Sequence, residues 1–336
     1  MTILSTVPLD FQWPTIDPFL FCVHHLDNYP AGMSDLSPKG SLTGRNIGSD
    51  FSGKDGWSMY HGENVPGFPR HPHRGFETIT IARKGFIDHS DSMGAQARFG
   101  HGDVQWMTAG KGISHSEMFP LLNSETSNPT ELFQIWINLP ASDKFVTPYF
   151  TMFWRDTIPT VTVESPNGKK SFIQIIAGQF EGVTAPLPPP NSWASRVESD
   201  IAIYSITMEA NSEMKLPKTK AETNRILYFF TGKSITINGS KQQVGHGIQV
   251  SPTFDLEIIN GSEDSEILIL QASPIGEPVV KYGPFVMNTK EEIQQAYQDY
   301  QQTKFGDWSW DTNAPTHSDS KERFAIHADG RSEHAG

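Results

Sequence analysis

The sequence predicts an all-β protein built from two copies of one β-barrel module and closed by a C-terminal helix. Three observations carry this reading. Short apolar runs are punctuated throughout by 28 glycines and 24 prolines, which is the texture of many strands joined by tight turns. The two halves repeat one pattern: strand, glycine turn, strand, Gly-His-Gly, hydrophobic segment. One segment near the end has helical periodicity with its own capping signal.

The strand candidates are Glu77 to Ala82, Phe133 to Asn138, Phe172 to Ala177, Ile201 to Met208, Ile226 to Phe230 and Ile267 to Gln271. Several are rich in β-branched and aromatic residues with partial alternation. In the repeat, Gly85 precedes Gly100-His101-Gly102 by fifteen residues and Gly232 precedes Gly245-His246-Gly247 by thirteen. The expected organisation is a first module over 1–155, a second over 156–287, and a docking helix with its tail over 288–336. The seam falls near Pro159 and the Ser165-Pro166-Asn167-Gly168 turn. Pro188-Pro189-Pro190 is expected in a surface loop, because proline donates nothing to a ladder. For the helix, Asn288 or Thr289 caps and Glu291 or Glu292 answers it. Ile293, Ala296, Tyr297 and Tyr300 form its apolar stripe, and Gly306 ends it. Beyond, the Asp-, Ser- and His-rich segment reads as a poorly packed tail, pinned at its start by Trp308 and Trp310.

Composition excludes several functions. Acidic residues outnumber basic ones 38 to 26, a formal charge of -12, so the field repels a phosphate backbone and no direct nucleic-acid role is expected. The longest apolar runs are far too short to span a bilayer, and no basic segment leads into an apolar core at the N-terminus. Cys22 is the single cysteine, which rules out a disulfide framework and suits a reducing compartment. The expectation is a cytoplasmic monomer.

The chemistry is concentrated in two short motifs. In His71-Pro72-His73-Arg74-Gly75-Phe76-Glu77, the residues His71, His73 and Glu77 share one parity and face one side if the segment is extended. In Gly112-Ile113-Ser114-His115-Ser116-Glu117, His115 and Glu117 share a face in the same way. Two such strands facing a barrel interior bring three imidazoles and a carboxylate to one point. That donor set suits Fe(II), Mn, Ni, Co, Cu or Zn rather than Mg or Ca. Parity alone does not choose between Glu77 and Glu117. His24-His25 reads as a strand end or loop, His89 with Asp88 and Asp91 as either a group backing the ligands or a polar turn, the turn being favoured, and Trp106, Met107 and Trp136 as barrel lining. His317, His327 and His334 are too dispersed to suggest a metal site.

These motifs resemble a known family. His-Pro-His-Arg-Gly-Phe-Glu-Thr at 71 to 78, Gly-Asp-Val-Gln-Trp-Met-Thr-Ala-Gly at 102 to 110, His-Ser-Glu-Met at 115 to 118, Gln-Ile-Trp-Ile-Asn-Leu-Pro at 134 to 140 and Gly-Pro-Phe-Val-Met-Asn at 283 to 288 are similar to the pirins, which are bicupins. The resemblance runs from about Asp17 to Tyr300. It implies two tandem cupin barrels and one divalent metal, iron first, held by His71, His73, His115 and Glu117, with Glu77 as a supporting carboxylate. It also implies a dioxygenase that opens flavonols such as quercetin with dioxygen, with Glu117 as both ligand and base. Two other readings stay open: a redox-responsive regulator that binds transcription factors without turnover, and a metal enzyme of unrelated chemistry. The second module has Lys218 and Lys220 in place of the histidine pair and is expected to hold no comparable metal.

Overall fold

The computed structural model describes residues 2–335. In chain order the first strands are β1 (Ile3–Pro8), β2 (Phe19–Tyr29), β3 (Gly67–His73), β4 (Phe76–Lys84), β5 (Phe86–Asp91), β6 (Gln96–Gly100), β7 (Asp103–Thr108), β8 (Ile113–Met118), β9 (Asn128–Asn138) and β10 (Tyr149–Phe153). Next come β11 (Thr160–Glu164), β12 (Lys170–Ala177), β13 (Gln179–Phe180), β14 (Val183–Thr184), β15 (Ala202–Met208), β16 (Glu213–Leu216), β17 (Asn224–Thr231), β18 (Ser234–Ile237), β19 (Ser240–Gln243), β20 (His246–Val250), β21 (Leu256–Asn260) and β22 (Ser265–Ala272). The chain closes with β23 (Val280–Tyr282), β24 (Phe285–Met287), helix α1 (Lys290–Thr303), β25 (Phe324–Ile326) and β26 (Ser332–His334). The fold is the expected all-β pair of barrels with one C-terminal helix.

Two compact units share these elements. One comprises Met1–Val23, Trp136–Asn138 and Asp156–Gly276; the other comprises His24–Ile135, Leu139–Arg155 and Glu277–Gly336. The first strand β1 pairs with β20, so the barrel of the second half begins with the N-terminal segment. Residues 277 onward complete the barrel of the first half, and the histidine motifs lie in that unit.

In the histidine-bearing unit two sheets face each other, with strand orders β10-β7-β4-β9-β2 and β26-β25-β6-β5-β8-β3. Ala82, Met107, Ile87, Ala97, Phe99 and Ile113 close the core between them. The other unit has a large sheet containing β20-β17-β22-β15 and a small one, β16-β21-β18-β19, around a core of isoleucine, leucine and aromatic side chains.

Helix α1 begins at a full capping box. Thr289 Oγ1 accepts from the Glu292 amide, and Glu292 Oε2 accepts from the Thr289 amide. The helix stops at Thr303 rather than at Gly306, because Lys304 and Phe305 already turn to positive φ. Ile293 and Ala296 are buried against Phe285 and Met287 in the same unit, as the apolar stripe requires.

The tail departs from its expectation of poor packing. β25 pairs with β6, β26 pairs with β25, and Ala325 is completely buried. The low apolar content of the tail conceals a packing made largely of hydrogen bonds.

Candidate metal centre

Local chain geometry sets the face of each candidate side chain. β3 and β8 run antiparallel with His71 opposite His115, and a bulge in β3 lies between Phe68 and His71. His73, two residues on from His71, falls on the same face. The three ring centroids lie 4.4 to 4.9 Å apart. One nitrogen from each of His71, His73 and His115 lies within 4.8 Å of the others, a group able to hold one metal ion.

Burial keeps these imidazoles neutral. His71 is pushed down to about 4, chiefly by burial, against the opposing pull of the Pro69 carbonyl and with help from His61 and His89. Burial and the neighbouring imidazoles hold His73 and His115 well below the ordinary histidine range. Neutral rings offer lone pairs at neutral pH, which metal ligation needs. His71 Nδ1 donates to the Pro69 carbonyl at 2.9 Å, so its Nε2 carries the lone pair. The Pro284 carbonyl bonds the His73 ring.

His115 tests the fit of a metal. It is completely buried, and neither ring nitrogen has a hydrogen-bond partner. A buried imidazole left in that state costs on the order of 1–3 kcal/mol. A cation that accepts one of those lone pairs relieves part of the cost. The residues therefore fit a single transition metal, since imidazole donors select that class.

Glu117 shares the inner face of β8 with His115 but stands outside the group of three. Its Oε1 accepts from Thr80 Oγ1 at 2.9 Å, and burial raises its carboxyl, opposed by His89 and Thr80. Thr80 also lies 2.7 Å from Gln134 Oε1, yet one hydroxyl proton cannot serve two acceptors. Turning the Gln134 amide over resolves this: its nitrogen donates to Thr80, and Thr80 donates to Glu117.

Glu77 lies elsewhere. The chain turns at Gly75, whose φ is +85° and where a Cβ would meet the Val286 carbonyl oxygen at 2.0 Å. That turn ends β3 and starts β4, so the parity linking Glu77 to His71 and His73 is lost. Glu77 is three residues from Thr80 along β4 and points to the opposite face, where it accepts from Thr108 Oγ1 at 2.6 Å. It is a structural carboxylate on the far side of the strand.

His89 corrects the favoured reading of a polar turn. It lies within β5, not in a turn, and pairs in register with Glu117. Its ring is 5.5 Å from that of His115, and Nε2 bonds Asp91 Oδ2 at 3.0 Å. The period-two pattern of β5 was the signal for this placement; the surrounding polar residues obscured it. His24 and His25 lie inside β2 rather than at its end, bonded to Glu131 and Tyr60 respectively.

Comparison with known proteins gives two family matches. The Pirin family model matches residues 40–137, and the model for the Pirin C-terminal cupin domain matches residues 203–306. A Pseudomonas aeruginosa protein named "Putative quercetin 2,3-dioxygenase" is 34% identical over 243 residues, covering 71% of this chain and 79% of that protein. The chain belongs to the pirin family. Pirin-1 of Arabidopsis thaliana is likewise 34% identical over 242 residues, covering 71% of this chain and 78% of the relative. Among solved structures, a quercetin 2,3-dioxygenase from Acinetobacter baumannii superposes with a TM-score of 0.70 at 24% identity, covering 91% of this pirin and 98% of that chain, which confirms the fold. No helix among the described residues is long and apolar enough to cross a membrane.

Proposed function

We propose that this pirin is a metal-dependent dioxygenase that opens flavonols such as quercetin, with His71, His73, His115 and Glu117 holding the metal. The observation that carries the reading is the set of neutral imidazoles, one of them wholly unpartnered, beside a buried carboxylate whose own pKa is raised. The names of the relatives point the same way. Fe(II) is the first choice of metal, with Mn, Ni, Co, Cu or Zn as substitutes.

A divalent transition metal at this place supplies Lewis-acid and redox chemistry toward an aromatic substrate and dioxygen. The chain itself supplies the proton handling. Glu117 takes the proton from the flavonol 3-hydroxyl, and a carboxylate raised by burial is better matched to that task near neutral pH. Thr80, backed by Gln134, aims the Glu117 carboxylate. The buried walls of the barrel limit the access of water to the site.

The test is anaerobic metal loading, then quercetin and dioxygen, with carbon monoxide and the ring-opened ester measured. Wild type should turn over with about one metal per chain, and His115→Ala should lose the metal while staying folded. Glu117→Gln, compared at equal metal occupancy, should lower turnover by about 10²–10⁴-fold. Fully loaded wild type that consumes no flavonol with any of these metals would overturn the reading in favour of a regulatory protein.

A further inference from the structure

The family models end at residue 306, yet the next stretch of chain makes an ordered set of contacts on one surface. The inner face of the β3-β8-β5 sheet carries His71, His73, His115, Glu117 and His89. Its outer face carries Ser114 and Asp88, and the chain after α1 crosses there. Ser114 Oγ donates to the Lys304 carbonyl at 2.7 Å, and Ser92 Oγ to the Phe305 carbonyl at 2.7 Å. Gly112, two residues before Ser114, has φ +129°, and a Cβ there would lie 2.6 Å from the Phe305 ring. Trp310 Nε1 donates to the Asp91 carbonyl at 3.3 Å. The Arg70 amide, on the outer edge of β3, donates to the Asn313 carbonyl at 2.6 Å. Ala314 packs against the small apolar cluster of Leu36, Val65 and Met118, the last at the end of β8.

His317 occupies the centre of this path. Its amide donates to Asp88 Oδ2 at 2.8 Å, and its Nε2 donates to the His89 carbonyl at 3.1 Å. Asp88 is also paired with Arg98 through two bonds of 2.6 and 2.7 Å, both side chains completely buried. The remaining capacity of Arg98 goes to the carbonyls of Ser318 and Ser320. A buried ion pair is stable only when its other donors and acceptors are met, and here the tail meets them.

We infer that residues 307–320 form a strap that positions the metal histidines from behind, with His317 and Trp310 as positioning residues. The strap bonds two of the three strands that carry the inner-face cluster, at or next to the residues concerned: Arg70 beside His71 on β3, and the backbone of His89 and Asp91 on β5; Lys304, just ahead of it, takes the bond from Ser114 beside His115 on β8. A metal site tolerates misplacement of only about 0.5 Å, so strands held on their outer face retain the metal better than strands backed by water. The inference rests on the metal site proposed above.

Co(II) loading of the full-length protein tests it, with the visible absorption of the bound ion and its release to a chelator read far below the unfolding temperature. His317→Ala should release Co(II) about 10–100-fold faster and alter the ligand-field bands, the usual scale for a lost outer partner of a metal ligand. His317→Gln, which keeps a donor for the His89 carbonyl, should restore much of both. Trp310→Phe, which removes one bond to Asp91, should have the same effect in smaller measure, and truncation after Gly306 a larger one. Wild type that binds one Co(II) while His317→Ala shows unchanged bands and release overturns the strap and leaves the site standing. Wild type that binds no Co(II) overturns the site and the strap together. If the truncated chain fails to fold, the His317→Ala and His317→Gln pair decides.

Discussion

The histidine-bearing sheet and the small sheet of the other module share one strand order, β3-β8-β5-β6 in the first and β16-β21-β18-β19 in the second. Their registers also match. His71 faces His115 across β3 and β8, and Leu216 faces Leu256 across β16 and β21. Glu117 pairs with His89, and at the corresponding place Ile258 pairs with Ile237. These four polar side chains, His71, His115, Glu117 and His89, are matched by buried aliphatic ones, Leu216, Leu256, Ile258 and Ile237. By this register His71 corresponds to Leu216, the last residue of β16, and His73, two residues on, to Lys218, a shift of two from the match that sequence spacing made with Lys218 and Lys220. The same scaffold thus accepts either a polar cluster or a closed apolar core at one place. The difference teaches that the cupin barrel does not need the ligands in order to fold.

Breaking the apolar version should have the largest effect on stability. Leu256→Ala removes a fully buried side chain from the aliphatic set, and thermal or denaturant unfolding should show a loss of about 2–5 kcal/mol. The cost rises with the volume left unfilled.

The histidine-bearing unit should be the more sensitive to acid. Burial works to raise the Glu131 carboxyl, but bonds from His24 and Lys84 and the charge of Arg83 outweigh it and hold the group at about 2. A carboxyl depressed below its unfolded value contributes stability that is full above about pH 4.5 and lost as pH falls through about 2. Glu131→Gln should remove up to about 3 kcal/mol at neutral pH and flatten the stability curve between those limits, as read by unfolding at a series of pH values.

Converting the polar version to the apolar one sharpens the comparison in the opposite direction. His115→Leu should abolish metal retention yet raise the stability of the metal-free protein by about 1–3 kcal/mol, because it removes an unpartnered buried imidazole. Calorimetry on metal-stripped wild type and variant checks the sign; a destabilised variant would show that the imidazole is satisfied without metal. The smallest expected effect lies in α1, where Thr289→Ala removes the capping bond and should cost about 1 kcal/mol.

Much of this was legible from the chain alone, because the relevant physics is local. An extended strand alternates its faces, so His-x-His and His-x-Glu each place their members on one side whatever the rest of the fold does. The Thr289 and Glu292 capping box spans one helical turn and needs no partner from elsewhere. The glycine turns of the two halves marked the repeat.

Tertiary structure decided what depends on pairing over long separations. Gly75 ends one strand and starts another, which sends Glu77 to the opposite face of the sheet from Thr80. Thr80 and His89 come to Glu117 from neighbouring strands, and no spacing within their own segments announces it. The tail has too few apolar residues to look packed, yet the outer face of the metal-bearing sheet offers Asp88 and Arg98 as partners for its backbone. Local sequence determines which face a side chain takes along an unbroken strand. Where strands break and how they register depends on closing loops of many residues, a free energy set by the whole chain.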